Sequence, residues 1–328
     1  ASHWHLRIIE RQTMTPSDFW QPFESTVKSF EDLVRIIDQI MDRAVKHDIQ
    51  FAWRGQVDAS WALHSSLYRR LSLTLGATPD EAALAERELE VLIDLHRWGL
   101  HTHPTGGRLS ILNQLAMLQH YGAPTRLIDI TLNAWVGVWF AVERKWQNGS
   151  EVHHDKDARL FAVDVTGRLT NEHDGYRSWE DLLSRPWPDG KASTISKKEW
   201  TTSVYAWRPS RLDARISAQN GAFLFGGVPA TTKPGGSKFQ FPKSPDNRQG
   251  NWKIAEGRSA CSIPLRPHKF EATRGQASTG ALYTFRIEAG AKQPIRERLK
   301  KLFGYSHATI YPDYTGFATF GTPTLKSW

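Results

Sequence analysis

The chain has 328 residues, is 40% hydrophobic and carries a formal net charge of +8. That length can bury a large core, as one elaborated domain or two, and no apolar run approaches the roughly 20 residues of a membrane span. A single cysteine, Cys261, excludes an intrachain disulfide and cysteine-rich zinc sites. The opening residues Ala1-Ser2-His3-Trp4-His5 carry no signal-peptide pattern, so a cytoplasmic setting is expected. The basic balance points to polyanionic company, nucleic acid or a phosphorylated ligand; a merely solvated positive surface fits it equally. Most of the 14 Trp residues belong in a core, and a few on a basic surface would suit base stacking.

The first predicted element is a helix over 30–46. Ser29 with Asp32 resembles a capping box, and Phe30, Leu33, Val34, Ile37, Ile40, Met41 and Ala44 form one apolar stripe. Residues 49–55 read as a short strand ending at Gly55, and 61–70 as a loop. A second helix is expected from Thr78-Pro79-Asp80-Glu81, with Thr78 as cap, to about Trp98. A third spans about 108–119, with Leu109, Leu112, Leu115 and Ala116 inward, Gly122 as its left-handed terminator and Pro124 forcing Ala123 to extend. A fourth, 133–145, is apolar almost all round and so buried on most sides. Strands follow at 159–165, 204–207, 222–225 and 281–287. A helix at 296–303 precedes Gly304, and 309–311 and 317–320 close the chain.

Two irregular tracts, 167–200 and 226–280, interrupt the second half; loops of such length are usually functional or mobile. The predicted class is α+β, with a helical N-terminal half packed on a mainly antiparallel sheet. The expected organisation is one elaborated domain over 1–328: a helical extension at 1–48, a motif region at 49–165, and a strand-rich half at 166–328 with a long basic loop at 226–280. There is no dinucleotide-fold strand–glycine loop–helix unit and no P-loop.

The densest polar cluster is Gln119-His120-Tyr121-Gly122-Ala123-Pro124-Thr125-Arg126-Leu127-Ile128-Asp129-Ile130-Thr131, set between two apolar helices. Buried polar groups each need a partner, at about 1–3 kcal/mol if left without one. His120 suits acid/base work or ligand donation, and equally a capped core position. Tyr121 suits ring stacking or packing. Arg126 requires Asp129 or another acid nearby if buried. Asp129 and Thr131 cap the next helix or face a pocket at its N-terminus. Upstream, Arg54 ends an apolar strand, where its fork suits phosphate or carboxylate, and Gly55 admits a close ligand. Asn220-Gly221 is a tight-turn pair, which leaves Gln219 unexplained by the turn. In the basic tract, Lys233, Lys238, Lys243, Arg248, Trp252, Lys253 and Arg258 interleave cations with aromatics, as single-strand binders do; a solvated loop reads the same way. His153-His154-Asp155 and His101-x-His103 lack metal-ligand spacing, so no metal is expected.

Phe51-Ala52-Trp53-Arg54-Gly55, the 119–131 motif and Phe140-Ala141 resemble the FRG-domain family over about 51–143, and more loosely at 215–223 and at Tyr311-Pro312-Asp313. That family is associated with bacteria, phages and defence-like contexts. A looser resemblance is to ADP-ribosyltransferases of the arginine–serine–glutamate type. Arg54-Gly55 is similar to their NAD-holding first strand, Thr131 with Phe140-Ala141 to their hydroxyl strand and helix, and Gln219 stands where their glutamate would fall. The resemblance implies an ADP-ribosyltransferase-like core using NAD as substrate. Arg54, Gly55, Tyr121 and Arg126 would lie at the cofactor, and Asp129, Thr131, Gln219 and His120 at the chemistry. The acceptor would be a macromolecule such as nucleic acid, in a toxin or defence setting with an antitoxin-type partner. Neutral Gln219 would stabilise positive charge poorly, which favours the rival reading: a non-catalytic nucleic-acid or nucleotide binding module. A nuclease built on His120 and Asp129 ranks third.

Overall fold

The computed structural model describes residues 14–102, 107–147, 149–170, 195–209, 214–230, 239–272 and 280–321. The chain opens on α1 (Pro16–Trp20), the short strand β1 (Ser25–Val27) and the long helix α2 (Phe30–His47). Ser29 accepts a hydrogen bond from the Asp32 backbone to start α2, and Leu33, Ile36, Ile37 and Ile40 bury one stripe of it. β2 (Phe51–Gln56) leads to three helices, α3 (Ser66–Leu75), α4 (Glu81–Arg97) and α5 (Ile111–His120). Gly122, at φ +83°, turns the chain out of α5 as expected. β3 (Ile128–Thr131) and the apolar helix α6 (Ala134–Val142) follow, then the hairpin β4 (Lys145–Gln147) and β5 (Ser150–Val152).

The remainder runs β6 (Ala158–Asp164), β7 (Leu169–Thr170), α7 (Lys197–Trp200), β8 (Val204–Trp207), α8 (Ala214–Ala218) and β9 (Gly221–Gly226). After these come α9 (Ile254–Ala260), β10 (Arg266–Pro267), β11 (Ala281–Ile287), α10 (Ala289–Phe303), α11 (His307–Ile310) and α12 (Tyr314–Gly316). One mixed sheet takes the order β1-β11-β6-β2-β3-β9-β8-β7, with β10 also on β11. Pairing is antiparallel from β11 through β6, β2, β3 and β9 to β8, and parallel for β1 and β10 on β11 and for β7 on β8. The class is α+β.

Both faces of the sheet are covered, because the strands alternate between two cores. Leu160 and Ala162 of β6 join α2, α6 and α10 residues on one face. Phe161 and Val163 join Phe19 and Trp20 of α1 and Phe239, Phe241 and Ala260 on the other. Two-sided burial explains why β6, β8 and β9 are buried along their whole length rather than at every second residue. Among the described residues, no helix is long and apolar enough to cross a membrane.

Several boundaries differ from the sequence reading. Within residues 25–47, β1 extends the sheet at β11 and α2 packs into its core. The 61–70 stretch read as a loop contains the start of α3, capped by Ser65. α4 begins under Asp80 rather than Thr78, and α5 begins under Ser110. α10 starts at Ala289, with Pro294 inside it; that proline hid the first turns from pattern reading. The described part of 226–280 contains α9, β10 and a Pro242–Asn251 bridge, and Phe239 and Phe241 are core residues. Residues 309–311 and 317–320 are helical turns.

Candidate functional site

β2 pairs with β6 along all six of its residues, yet with β3 through one register pair, Trp53 with Thr131. Beyond that pair the two central strands part. Parted strands leave backbone groups that need other partners, and one is supplied by a side chain: Arg54 donates through Nη1 to the Asp129 carbonyl at 2.5 Å. The opening is a cavity of about 720 Å³, within the roughly 300–1,000 Å³ usual for ligand pockets. It collects Arg54, Gly55, His120, Asp129 and Gln219 from the sequence-selected residues. Aromatic walls come from Trp53, Trp61, Phe140, Phe223 and Tyr311.

Gly55 serves packing more than ligand approach. A Cβ there would sit 2.2 Å from the Gly137 carbonyl and 2.3 Å from the Ala141 amide of α6. The bare backbone is what lets α6 lie on β2, with Gly137 of the helix reciprocating against Trp53.

Four cations line the cavity, Arg54, Arg69 of α3, Lys145 and Arg215 of α8; Arg69 acts directly on Arg54. Burial pulls the Arg54 guanidinium below its ordinary pKa and Arg69 adds to this, while Asp129 opposes it. Its buried Nε has no hydrogen-bond partner. An orphaned charged donor beside a second cation is the arrangement an anionic group satisfies.

Acids lie in the same cavity. The Asp129 carboxylate accepts from Gln119 Nε2 at 2.7 Å. Glu143, which follows α6, is buried. It accepts from the Tyr311 hydroxyl at 2.8 Å and lies 2.5 Å from the Lys145 ammonium. Burial raises the Glu143 pKa, against the opposing pull of Lys145 and Tyr311. Arg215 of α8 sits over the Tyr311 ring at 5.3 Å and pairs with Asp313 at 2.6 Å. Gln219 donates its amide to the Ile310 carbonyl at 3.0 Å, so the C-terminal turns form one wall. The set can hold an anion through its arginines and a proton through the buried Glu143.

His64 also lines the cavity, with Nε2 2.9 Å from the Arg258 carbonyl. A carbonyl only accepts, so Nε2 carries the proton and Nδ1 is left as an acceptor. Burial lowers its pKa from 6.5 to about 4, and Arg69 contributes to that lowering. The folded protein therefore holds His64 neutral where the unfolded chain protonates it. Stability is full above pH 6.5 and falls as pH drops from 6.5 to about 4, by roughly 3 kcal/mol in all. Urea unfolding of wild type and His64→Gln across this range checks it; a wild-type slope retained by the variant would contradict the assignment.

Other sequence-selected residues sit elsewhere. Thr131 is buried and donates to the Gln219 carbonyl at 2.6 Å while accepting from the Asn133 amide. It ties β3 to the turn before β9 and does not line the cavity. Tyr121 is exposed, with its ring edge against His120. Arg126 is fully buried away from the cavity, paired with Glu88 at 2.7 Å and Glu81 at 3.2 Å rather than with Asp129. Burial would lower its pKa, but the two glutamates outweigh that and the net shift is upward.

Lys233 and Lys238 lie outside the described residues. Lys243 sits over the Trp252 ring at 4.7 Å, Arg248 pairs with Asp246, Lys253 precedes α9 as its N-cap residue, and Arg258 donates to the Pro229 carbonyl. His153 pairs with Asp58. Among the described residues, no cluster of three metal-ligating side chains exists.

Sequence reading passed over Arg69, Glu143, Lys145 and Arg215. One signal was available for Glu143: it is the lone acid closing an apolar helix, at the negative end of the dipole where cations are favoured. No sequence pattern brings Tyr311 to it, since the contact spans 168 positions.

Residues 49–150 match the family model of the FRG domain. That stretch supplies β2, β3, α6 and most of the cavity wall. No curated protein matches the chain, and no solved structure does.

Proposed function

We propose that this chain, which carries an FRG domain over residues 49–150, binds a dinucleotide of the NAD type between β2 and β3. On this reading it transfers ADP-ribose to a macromolecule, with nucleic acid favoured by the +8 charge. The observation that carries the reading is the orphaned Nε of Arg54, next to a second cation, in a cavity that also holds carboxylates and aromatic walls. Arg54 and Arg69 hold the diphosphate. His120 borders the nicotinamide, and Tyr121 lies at the rim beside it. Asp129 and the side-chain carbonyl of Gln219 meet the ribose hydroxyls. Thr131 acts indirectly, by fixing the Gln219 backbone.

Calorimetric titration with NAD, followed by label transfer from NAD onto RNA, DNA or protein, tests this. In Arg54→Ala, loss of a charged hydrogen-bonding group is expected to weaken NAD binding roughly 10- to 100-fold. Failure of the folded wild type to bind NAD would sink the reading.

A second reading, a non-catalytic nucleotide or nucleic-acid binding module, draws support from Gln219. An amide stands where the transferase pattern has a carboxylate, and it is engaged by Ile310. On that reading ligand binds without turnover, and nucleic-acid affinity falls steeply with salt.

A further inference from the structure

We propose that Glu143 is the carboxylate that takes the acceptor's proton in this cavity; the proposal rests on reading the cavity as an ADP-ribosyl-transfer site. The neighbouring carboxylates and the amide of Gln219 are placed differently. Asp129 is exposed and bonded to Gln119, Asp313 is paired with Arg215, and Gln219 is neutral with its amide on Ile310. Glu143 differs in three respects. It is buried yet lines the cavity. It stands at the negative end of α6, where the helix dipole disfavours its charge. Its two oxygens are oriented by one donor each, the Tyr311 hydroxyl and the Lys145 ammonium. Such a carboxylate is fixed in position and has gained affinity for a proton through burial.

The step balances as follows. The bond between the ribose anomeric carbon and the nicotinamide nitrogen breaks, and its electron pair leaves with neutral nicotinamide. A hydroxyl oxygen of the acceptor forms the new bond to the anomeric carbon. The hydroxyl proton passes to Glu143, which later releases it to solvent. Lys145 and Tyr311 touch the carboxylate and set its proton affinity, with Arg215 and Asp129 beyond Tyr311; both are positioning residues.

The experiment is the pH profile of kcat/KM for NAD turnover, with NAD binding measured in parallel. In Glu143→Gln, kcat is expected to fall at least 100-fold while the Kd for NAD stays within threefold of wild type. Lys145 holds the Glu143 pKa down, so Lys145→Met is expected to move the acid limb to higher pH, a change a purely structural role would not produce. If Glu143→Gln fails to fold, the Lys145→Met profile decides. A Glu143→Gln enzyme that keeps pace with wild type, or an acid limb unmoved in Lys145→Met, overturns the role of Glu143 while the transfer reading stands. A wild type that binds NAD and turns none over overturns the transfer reading and the role of Glu143 with it.

Discussion

Arg126→Met is expected to destabilise the fold by about 3–5 kcal/mol, because it leaves the buried Glu88 and the partly buried Glu81 without their cation. Arg126 and Glu88 are each 1% exposed, and Arg126 also meets Glu81 and the ring of Trp200. Glu81 is a hub in its own right: it accepts from Trp200 Nε1 at 2.8 Å and from the Val228 amide at 2.7 Å. The arginine therefore pins α4 to the end of β9, across 100 positions of sequence to the Gly226 carbonyl. Methionine replaces much of the volume but none of the charge. Urea unfolding measures the loss, and Arg126→Met/Glu88→Met is expected to recover part of it, since contacting partners do not add independently. NAD affinity in the folded fraction is expected to match wild type, because Arg126 does not line the cavity. A variant within 1 kcal/mol of wild type would mean that water reaches the pair.

Gly55→Ala is expected to cost about 3 kcal/mol, at the upper end of the usual range for overpacking. The new methyl would meet helix backbone at 2.2 and 2.3 Å, not the tip of a flexible side chain. The only relief is to lift α6 from β2, which separates Trp53 from Gly137 and displaces Glu143 beyond the helix end. Loss of stability and of NAD binding are thus expected together, readable as a lowered urea midpoint and a weakened titration. A stable variant with impaired binding would instead return Gly55 to the ligand-approach role expected from the sequence. Gly137→Ala, whose nearest contact is the Trp53 Cβ at 2.8 Å, is expected to be milder.

Part of the cavity wall was legible in local sequence, from the 119–131 motif, the Arg54-Gly55 strand end and Gln219. Arg54, Gly55, His120, Asp129 and Gln219 were selected as candidates, with a structural role open for all but Gln219, and all five line the cavity. Where local sequence offered two partners of like chemistry, it could not choose. Arg126 needed an acid; Asp129 stood three residues away, yet Glu81 and Glu88 on α4 hold it. Thr131 looked like a site hydroxyl and is a backbone tie.

The sequence by itself determined the helical stripe of α2, the buried character of α6, the terminator at Gly122, the α+β class and the motif at 51–143. Each rests on periodicity or turn chemistry within a few residues, and so is written locally. Only the tertiary structure decided that β2 and β3 part after one register pair, that β1 extends the sheet at β11, and that Glu143 meets Tyr311. Strand order, and which charge answers which, depend on contacts between residues far apart in the chain. Burial against a distant element, not local propensity, sets the free energy of those choices.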